Sequence, residues 1–180
     1  MMDTRTQLAL EVAQLRTEIA TLKREARTDA LTQVGNRRFA DERLAQEAAA
    51  DRPCSVILID IDYFKRVNDE HGHDVGDSVL RSIAQTLAQA VRVSDDVCRF
   101  GGEEFLVVCP GLPAQDAGAL ADRLRELVGS TRIEALGRSV TISAGVAAYD
   151  PQGPREAVKR ADAALYEAKR SGRNRVLVAA

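Results

Sequence analysis

Tryptophan is absent from this sequence, and aromatic residues make up only 4% of its 180 residues. This scarcity argues against a stacking platform for single-stranded nucleic acid and against the aromatic belt of a membrane protein. No apolar run approaches the roughly 20 residues that cross a bilayer, and the N-terminus leads into a charged amphipathic segment rather than a signal peptide. We therefore expect a cytoplasmic protein without membrane insertion.

The chain also lacks a large excess of charge and a paired set of cysteines. Its 25 basic and 27 acidic residues give a net charge of −2, which argues against a nucleic-acid partner held by a general positive field. Cys54, Cys98 and Cys109 are odd in number and lack ligand-like spacing, which favours reduced structural thiols. A hydrophobic content of 45% is enough for one domain with its own core.

An N-terminal segment carries a heptad pattern. Its apolar residues follow one another in steps of four and three: Leu8, Val12, Leu15, Ile19, Leu22 and Ala26. Leucine at every d position and mostly β-branched residues at a favour a parallel two-stranded coiled coil. The alternative is an amphipathic helix that packs on its own domain. We favour the coiled coil, and assign residues 1–28 to a dimerisation helix and residues 29–180 to the globular domain.

Apolar runs alternate with amphipathic segments in the rest of the chain. The patterns predict helices over 37–50, 75–91, 114–128 and 155–170, and strands over 55–62, 97–100, 103–109, 139–149 and 175–178. A short turn is expected over 64–72. The order is a βαββαβ core, which predicts an α+β fold of ferredoxin-like type with a mixed, largely antiparallel sheet and helices on one face.

Acidic residues flank two of the predicted strands. Asp60 lies near the end of the first, and Glu103 and Glu104 open another directly after the Gly101–Gly102 turn. If these strands pair, the carboxylates converge at one edge of the sheet, where like charges need a cation and Mg²⁺ is well suited. Glycines in the turn let a bulky triphosphate approach the backbone. The alternative is an ordinary hairpin with two solvated glutamates.

Polar residues also follow the first predicted strand. Lys65 is a compact cation suited to phosphate oxygens. Asn68 and Asp77 carry the amide and carboxylate that can read a purine edge, and a carboxylate favours guanine because guanine presents two N–H donors there. The alternative for Asp77 is an acid in the first turn of a helix that Asp74 caps.

Two more cations follow the last long helix. Lys169 and Arg173, with Gly172 between them, lie near its C-terminal end. Basic residues at this position complement the helix dipole, and glycine often ends a helix. With or without a functional role, both cations are expected near one end of the helix.

In this order and spacing, the residues resemble the GGDEF family of diguanylate cyclases over nearly all of residues 29–178. The resemblance rests on the segments 29–32, 36–38, 60–69, 71–77, 99–105, 143–146 and 161–174. Gln33 and Val34 depart from the glycine and leucine that family members often have. The resemblance implies a nucleotidyl cyclase palm fold and the condensation of two GTP molecules into cyclic di-GMP and two pyrophosphates in a homodimer.

The resemblance also implies roles for individual residues. Two Mg²⁺ ions, with Mn²⁺ as an alternative, would be held by Asp60, the Ile61 carbonyl, Glu103 and Glu104. Glu103 would accept the proton, Lys65 would stabilise the transition state, and Glu104 would assist. Asn68 and Asp77 would read guanine. The other substrate contacts implied are Phe64, Lys65, Gly101, Gly102, Lys169 and Arg173.

A product-inhibition site is implied as well. Arg92 and Asp95 match an Arg-x-x-Asp motif five residues before the signature, and Arg123 is the further arginine, supplied by a neighbouring domain. The alternative is a charged helix end. At the level of function, the alternatives are a catalytically silent module that binds GTP or cyclic di-GMP, and a coiled-coil adaptor with an ordinary ferredoxin-like domain.

Overall fold

One mixed sheet organises the globular part of the chain. The structure is a computed structural model that describes residues 4–50, 53–149 and 153–179. The strands in these residues are β1 (Cys54–Ile61), β2 (Asp96–Arg99), β3 (Glu104–Pro110), β4 (Ile142–Ala148) and β5 (Val176–Val178). Their order in the sheet is β2-β3-β1-β4-β5. β1 is antiparallel to both β3 and β4, β2 is antiparallel to β3, and β5 runs parallel to β4. The predicted α+β fold and largely antiparallel sheet are confirmed.

The described helices are α1 (Thr4–Glu25), α2 (Arg37–Ala49), α3 (Phe64–His71), α4 (His73–Ala90), α5 (Ala114–Ser130) and α6 (Pro154–Arg170). The expected turn over 64–72 is wrong, because this segment forms α3, whose Phe64 and Val67 are buried one turn apart. Asp74 is not the cap of the next helix, since α4 begins at His73 after Gly72. Asp77 therefore lies beyond the first helical turn, where the helix dipole is weaker.

Helices cover both faces of the sheet, which corrects the expectation of a single covered face. Ile57 and Ile59 of β1 pack in the cluster that includes α3, α4 and α5. Val56 and Leu58, which alternate with them, pack in the cluster that includes α2 and α6. A central strand buried on both faces has no polar alternation, which is why β1 reads as a continuous apolar run.

The N-terminal helix exposes its apolar seam. The side chains of Leu8, Leu15 and Leu22 are 60%, 51% and 56% exposed, and Val12 and Ile19 are exposed beside them. Ala26, predicted as the last seam position, lies in the turn after α1, because the helix ends at Glu25. No helix in the described ranges combines the length and apolar character that a membrane crossing needs.

A turn of residues 28–36 joins α1 to the domain. Asn36 caps α2 through its side chain, which accepts a hydrogen bond from the Phe39 N–H at 3.0 Å. Gly35 forms a bridge with Cys98 of β2, and a Cβ at this position would overlap the Cys98 sulfur and the Phe39 ring. The chain therefore leaves the helix and attaches directly to the strand that precedes the double-glycine turn.

Candidate functional site

Three carboxylates lie at one end of two central strands. Asp60 of β1 is directly opposite Glu104 of β3 in the sheet register. The Ile61 N–H donates to the Glu103 carbonyl at 3.4 Å, which brings the third acid alongside. Because β1 and β3 are interior strands, the acids lie at the strand ends rather than on an edge strand.

Burial and mutual repulsion shape the protonation of these acids. Burial is the largest cause that raises the pKa of Asp60, and it outweighs the stabilising Lys169 ammonium. Burial likewise raises the pKa of Glu103 and of Glu104, and the negative charge of Asp60 raises both further. The three groups therefore form a site in which negative charge is costly and a cation is favoured.

Lys169 supplies a positive charge at this site. Its Nζ lies 2.7 Å from Asp60 Oδ2, and the Asp60 side chain is almost fully buried. The last turn of α6 reaches Asp60 because the helix packs tightly on β4 at Gly145, where a Cβ would overlap the Ala161 carbonyl oxygen. The lysine that the sequence assigned to phosphate binding thus contacts a predicted metal ligand.

The donor set fits a divalent metal that arrives with its substrate. Among the described residues, no three His, Cys, Asp or Glu side chains converge into a group that holds a metal ion by itself. Asp60 and Glu104 are hard oxygen donors opposite each other in the sheet register, Glu103 precedes Glu104 in the chain, and the Lys169 ammonium lies beside Asp60. This is an open arrangement of donors that do not by themselves enclose an ion. Mg²⁺ characteristically takes one or two carboxylates and completes its coordination with water and phosphate oxygens, so an open arrangement suits it.

A cleft of about 460 Å³ lies beside the carboxylates. Its lining combines acids and cations from β1, α3, α6 and the flanking turns: Asp60, Tyr63, Phe64, Lys65, Arg66, Asp69, Glu103, Lys169 and Arg173. The Tyr63 side chain provides no cap for α3. A helix N-terminus without a side-chain cap is a favourable position for phosphate oxygens.

Tyr63 is a site residue that sequence reasoning missed. Its backbone is left-handed, with φ of 58°, and the Arg173 guanidinium lies 4.5 Å from the centre of its ring. Such a contact holds the cation by its attraction to the ring face. Nothing in the sequence pattern signals this pair, because the two residues are more than 100 positions apart.

Arg99 is a second residue whose role only the tertiary structure reveals. Its Nη1 lies 3.3 Å from Asp29 Oδ1, and its Nη2 donates to the Gly102 carbonyl at 2.8 Å. Partial burial by itself raises the pKa of Asp29. The hydrogen bonds from Thr32 and the positive charge of Arg99 outweigh this effect, so that the pKa is lowered overall. Arg99 therefore connects the turn after α1 to the double-glycine turn.

Within the double-glycine turn, the two glycines differ. A Cβ at Gly101 would overlap the Glu104 carboxylate, whereas a Cβ at Gly102 would meet nothing within 4 Å. Gly101 therefore provides the space for the Glu104 side chain, and Gly102 is exposed at the surface.

The predicted guanine-reading pair lies at the contact of α3 and α4. Asn68 Oδ1 lies over Gly76, where a Cβ would overlap it, and Asp77 is the next residue of α4. In the described part of the chain, neither the Asn68 nor the Asp77 side chain has a hydrogen-bond partner. Both are half-buried, and neither lines the carboxylate cleft.

The predicted inhibitory residues form a separate cluster. Arg92 donates to both oxygens of Asp95, at 3.1 Å from Nε and 2.8 Å from Nη2, and the Asp95 side chain is fully buried. The Arg123 Nη2 donates to the Ala90 carbonyl at 2.7 Å. Arg92 and Arg123 line the same cleft of about 300 Å³, with Leu112 and Leu120 among its other walls.

Comparison with known protein families shows the family to which this chain belongs. The model for "Diguanylate cyclase, GGDEF domain" matches residues 26–175, so the chain belongs to the GGDEF family. The response regulator PleD of Caulobacter vibrioides is 46% identical over 160 residues, covering 83% of this chain and 35% of PleD. Diguanylate cyclase DgcP of Pseudomonas aeruginosa is 42% identical over 164 residues, covering 87% of this chain and 24% of DgcP. The chain thus spans about a third or less of the length of these relatives.

Solved structures extend the likeness to the N-terminal helix. The coiled coil and GGDEF domain of DgcB from Caulobacter crescentus, in complex with c-di-GMP, superposes with a TM-score of 0.88 at 33% identity. This match covers 97% of the present chain and 96% of that structure. Diguanylate cyclase SiaD of Pseudomonas aeruginosa, in complex with its activator SiaC, gives a TM-score of 0.85 at 36% identity and covers 97% and 70%.

Proposed function

We propose that this chain is a diguanylate cyclase, which condenses two GTP molecules into cyclic di-GMP and two pyrophosphates. The observation that carries the proposal is the opposition of Asp60 and Glu104 across β1 and β3, beside a cleft whose other walls hold Lys65, Lys169 and Arg173. The relatives named as diguanylate cyclases and the structure with bound c-di-GMP support this activity.

Asp60, the Ile61 carbonyl, Glu103 and Glu104 would hold two Mg²⁺ ions, with Mn²⁺ as a substitute. Bound there, the metal supplies polarisation of the α-phosphate and charge neutralisation at the attacking oxygen. The Lys169 ammonium now contacts Asp60. It would contact a phosphate oxygen instead once Asp60 binds a metal ion.

The cations of the cleft act on the triphosphate. In each half-reaction the 3′-oxygen of one GTP attacks the α-phosphorus of the other, and the bond from that phosphorus to the β-phosphate oxygen breaks. Lys65, Lys169 and Arg173 would hold the phosphates and neutralise charge on the departing pyrophosphate. Glu103 would accept the proton of the 3′-hydroxyl, because it lies beside the position that the attacking oxygen would take at the metal.

Guanine recognition would come from the contact of α3 and α4. The Asp77 carboxylate can accept from the two N–H donors of a guanine edge, and the Asn68 amide can complement it. Among the described residues neither side chain has a protein hydrogen bond, so a base would displace only water from them.

Assembly would follow from the geometry of the reaction. One domain holds one GTP, so two domains must face each other for each 3′-hydroxyl to reach the other α-phosphate. The exposed seam of Leu8, Leu15 and Leu22 on α1 provides an apolar surface for a parallel homodimer. Dimerisation would thereby raise the effective concentration of one domain near the other.

Cyclic di-GMP would also inhibit the enzyme at a separate site. Arg92 and Arg123 line one cleft, and a guanidinium can both pair with phosphate and stack on guanine. Asp95, now paired with Arg92, would accept from a guanine edge once Arg92 turns to the ligand.

The decisive experiment is a turnover assay on the purified chain after removal of bound nucleotide. Incubation with GTP and Mg²⁺ should yield cyclic di-GMP and pyrophosphate in a ratio of one to two, and Glu103→Gln should yield neither while it retains the fold. Binding of GTP without product would instead support the silent nucleotide-binding module. Absence of any guanine nucleotide binding would reject both.

A further inference from the structure

Asp62 is a buried carboxylate to which the proposed reaction assigns no role. It is only 5% exposed. Its Oδ1 accepts from the Ser143 hydroxyl at 2.7 Å, and its Oδ2 accepts from the Thr141 hydroxyl at 2.7 Å. Oδ2 also accepts from the backbone N–H of Asn174 at 3.0 Å. One carboxylate therefore joins the end of β1, the start of β4 and the turn that follows α6.

The turn held by Asp62 has an unfavourable backbone. Gly172, Arg173 and Asn174 have φ of 118°, 61° and 45°, three successive residues in the left-handed region. For residues other than glycine this conformation costs energy and persists only where the surroundings hold it. The hydrogen bond from the Asn174 N–H to Asp62 and one from the Arg173 N–H to the Ala168 carbonyl provide that support.

The turn presents Arg173 to the carboxylate cleft. The guanidinium lies over the ring of Tyr63, and Tyr63 is the neighbour of Asp62 in the chain. Arg173, Tyr63 and Lys169 all line the cleft. The side chain of Asp62 thus fixes the backbone of Arg173, while its own backbone leads directly into the aromatic residue on which Arg173 lies.

We propose that Asp62 is a positioning residue for the triphosphate: its carboxylate holds the 172–174 turn so that Arg173, stacked on Tyr63, points its charge into the cleft. This inference rests on the proposed function, since the ligand is the triphosphate of GTP. The change in triphosphate affinity that this role predicts for loss of the Asp62 charge is opposite to the change that simple electrostatics predicts. Removing a negative charge near the cleft strengthens binding of a polyanion, whereas loss of the turn's anchor weakens it.

The test is a double-mutant cycle on the full chain with a non-hydrolysable GTP analogue and Mg²⁺. Asp62→Asn keeps the side-chain size but replaces one acceptor oxygen by a donor group, and we expect binding to weaken roughly three- to tenfold. In an Arg173→Ala background the same substitution should have almost no effect. Binding of GMP, which lacks the β- and γ-phosphates, should not change.

A matched control separates positioning from general loss of stability. Val128→Ala removes buried volume from α5, away from the cleft, and should lower stability without changing the affinity for the analogue. Unchanged or tighter analogue binding in Asp62→Asn, effects that add to those of Arg173→Ala, or equal weakening for GMP would overturn the proposal.

A nucleotide-free measurement keeps the inference separate from the proposed function. In NMR spectra, the side chain of Arg173 should show a ring-current shift from Tyr63 that diminishes in Asp62→Asn. Thr141→Val, which removes one hydrogen bond to the same carboxylate oxygen, should diminish it less and provides a second variant if Asp62→Asn does not fold. An unchanged shift would refute the positioning of Arg173 by Asp62. A diminished shift in a protein that binds no GTP would refute the proposed function, and would leave Asp62 as the anchor of the turn without a triphosphate to position.

Discussion

Replacing Glu104 with glutamine should stabilise the metal-free protein while it removes activity. Glu104 lies directly opposite Asp60 across the sheet, and burial together with the Asp60 charge raises the pKa of Glu104. Like charges directly opposite in a sheet destabilise it, on the scale of the roughly 0.2–1 kcal/mol that a favourable cross-strand pair contributes. Because Glu104 is only half-buried, solvent screening reduces the gain, and we expect about 0.5 kcal/mol near neutral pH.

The sign of the pH dependence follows from the raised pKa. Between the unfolded pKa of Glu104 and its higher folded pKa, the native state binds more protons, so the stability of the wild type falls as pH rises and is flat above that range. Protonation in acid therefore removes the repulsion. The stability advantage of Glu104→Gln should be full at neutral pH and should vanish once the pH falls below the ordinary glutamate pKa of about 4.3.

Urea unfolding followed by circular dichroism measures both effects. The matched control is Asp41→Asn on the exposed surface of α2, which should leave stability unchanged at every pH. Adding Mg²⁺ and a GTP analogue at a hundred times the dissociation constant should stabilise the wild type by about 2.7 kcal/mol and the variant far less, which reverses their order. A variant less stable than the wild type without metal, or a gain that persists in acid, would refute the reasoning.

Three further substitutions test other parts of the site. Gly101→Ala should displace the Glu104 carboxylate and weaken Mg²⁺ binding in the presence of a GTP analogue about tenfold by calorimetry, whereas Gly129→Ala in α5 should not, because its Cβ meets no neighbour and it lies outside the cleft. Arg92→Ala should raise the cyclic di-GMP concentration that halves activity about tenfold, since a bidentate cation is lost. Replacing Leu15 and Leu22 with lysine should lower activity most at dilute enzyme, because assembly then limits turnover.

Each of these has a control and a contradicting result. Equal metal affinity in Gly101→Ala and Gly129→Ala would show that Glu104 does not need the space above Gly101. Arg92→Lys preserves charge and should recover part of the inhibition, and inhibition unchanged in Arg92→Ala would remove this site from regulation. Replacing Gln14 and Thr21 with lysine, outside the seam, should leave the dependence of activity on enzyme concentration as it is in the wild type. Concentration-independent activity in the seam variant would refute a role for α1.

The strands and their order along the chain were predictable from local pattern. The apolar run of β1, the double-glycine turn between β2 and β3, and the amphipathic periods of α4 to α6 each arise from neighbouring residues. The helix α3 was not predicted, because eight polar-rich residues with only Phe64 and Val67 buried gain helical structure from packing on α4. The covering of both faces of the sheet by helices was not predicted either. An apolar strand indicates that both of its faces are buried, but it does not show which helix packs on which face.

The sequence by itself determined the chemistry available to this protein: the types and spacing of its carboxylates, cations and glycines, and the seam of α1. Only the tertiary structure decided which of these groups meet. The contact of Lys169 with Asp60, the stacking of Arg173 on Tyr63, and the link from Arg99 to Asp29 all join residues far apart in the chain. Such contacts depend on the register of the sheet and the packing of α6, which are set by the whole core and not by any local segment.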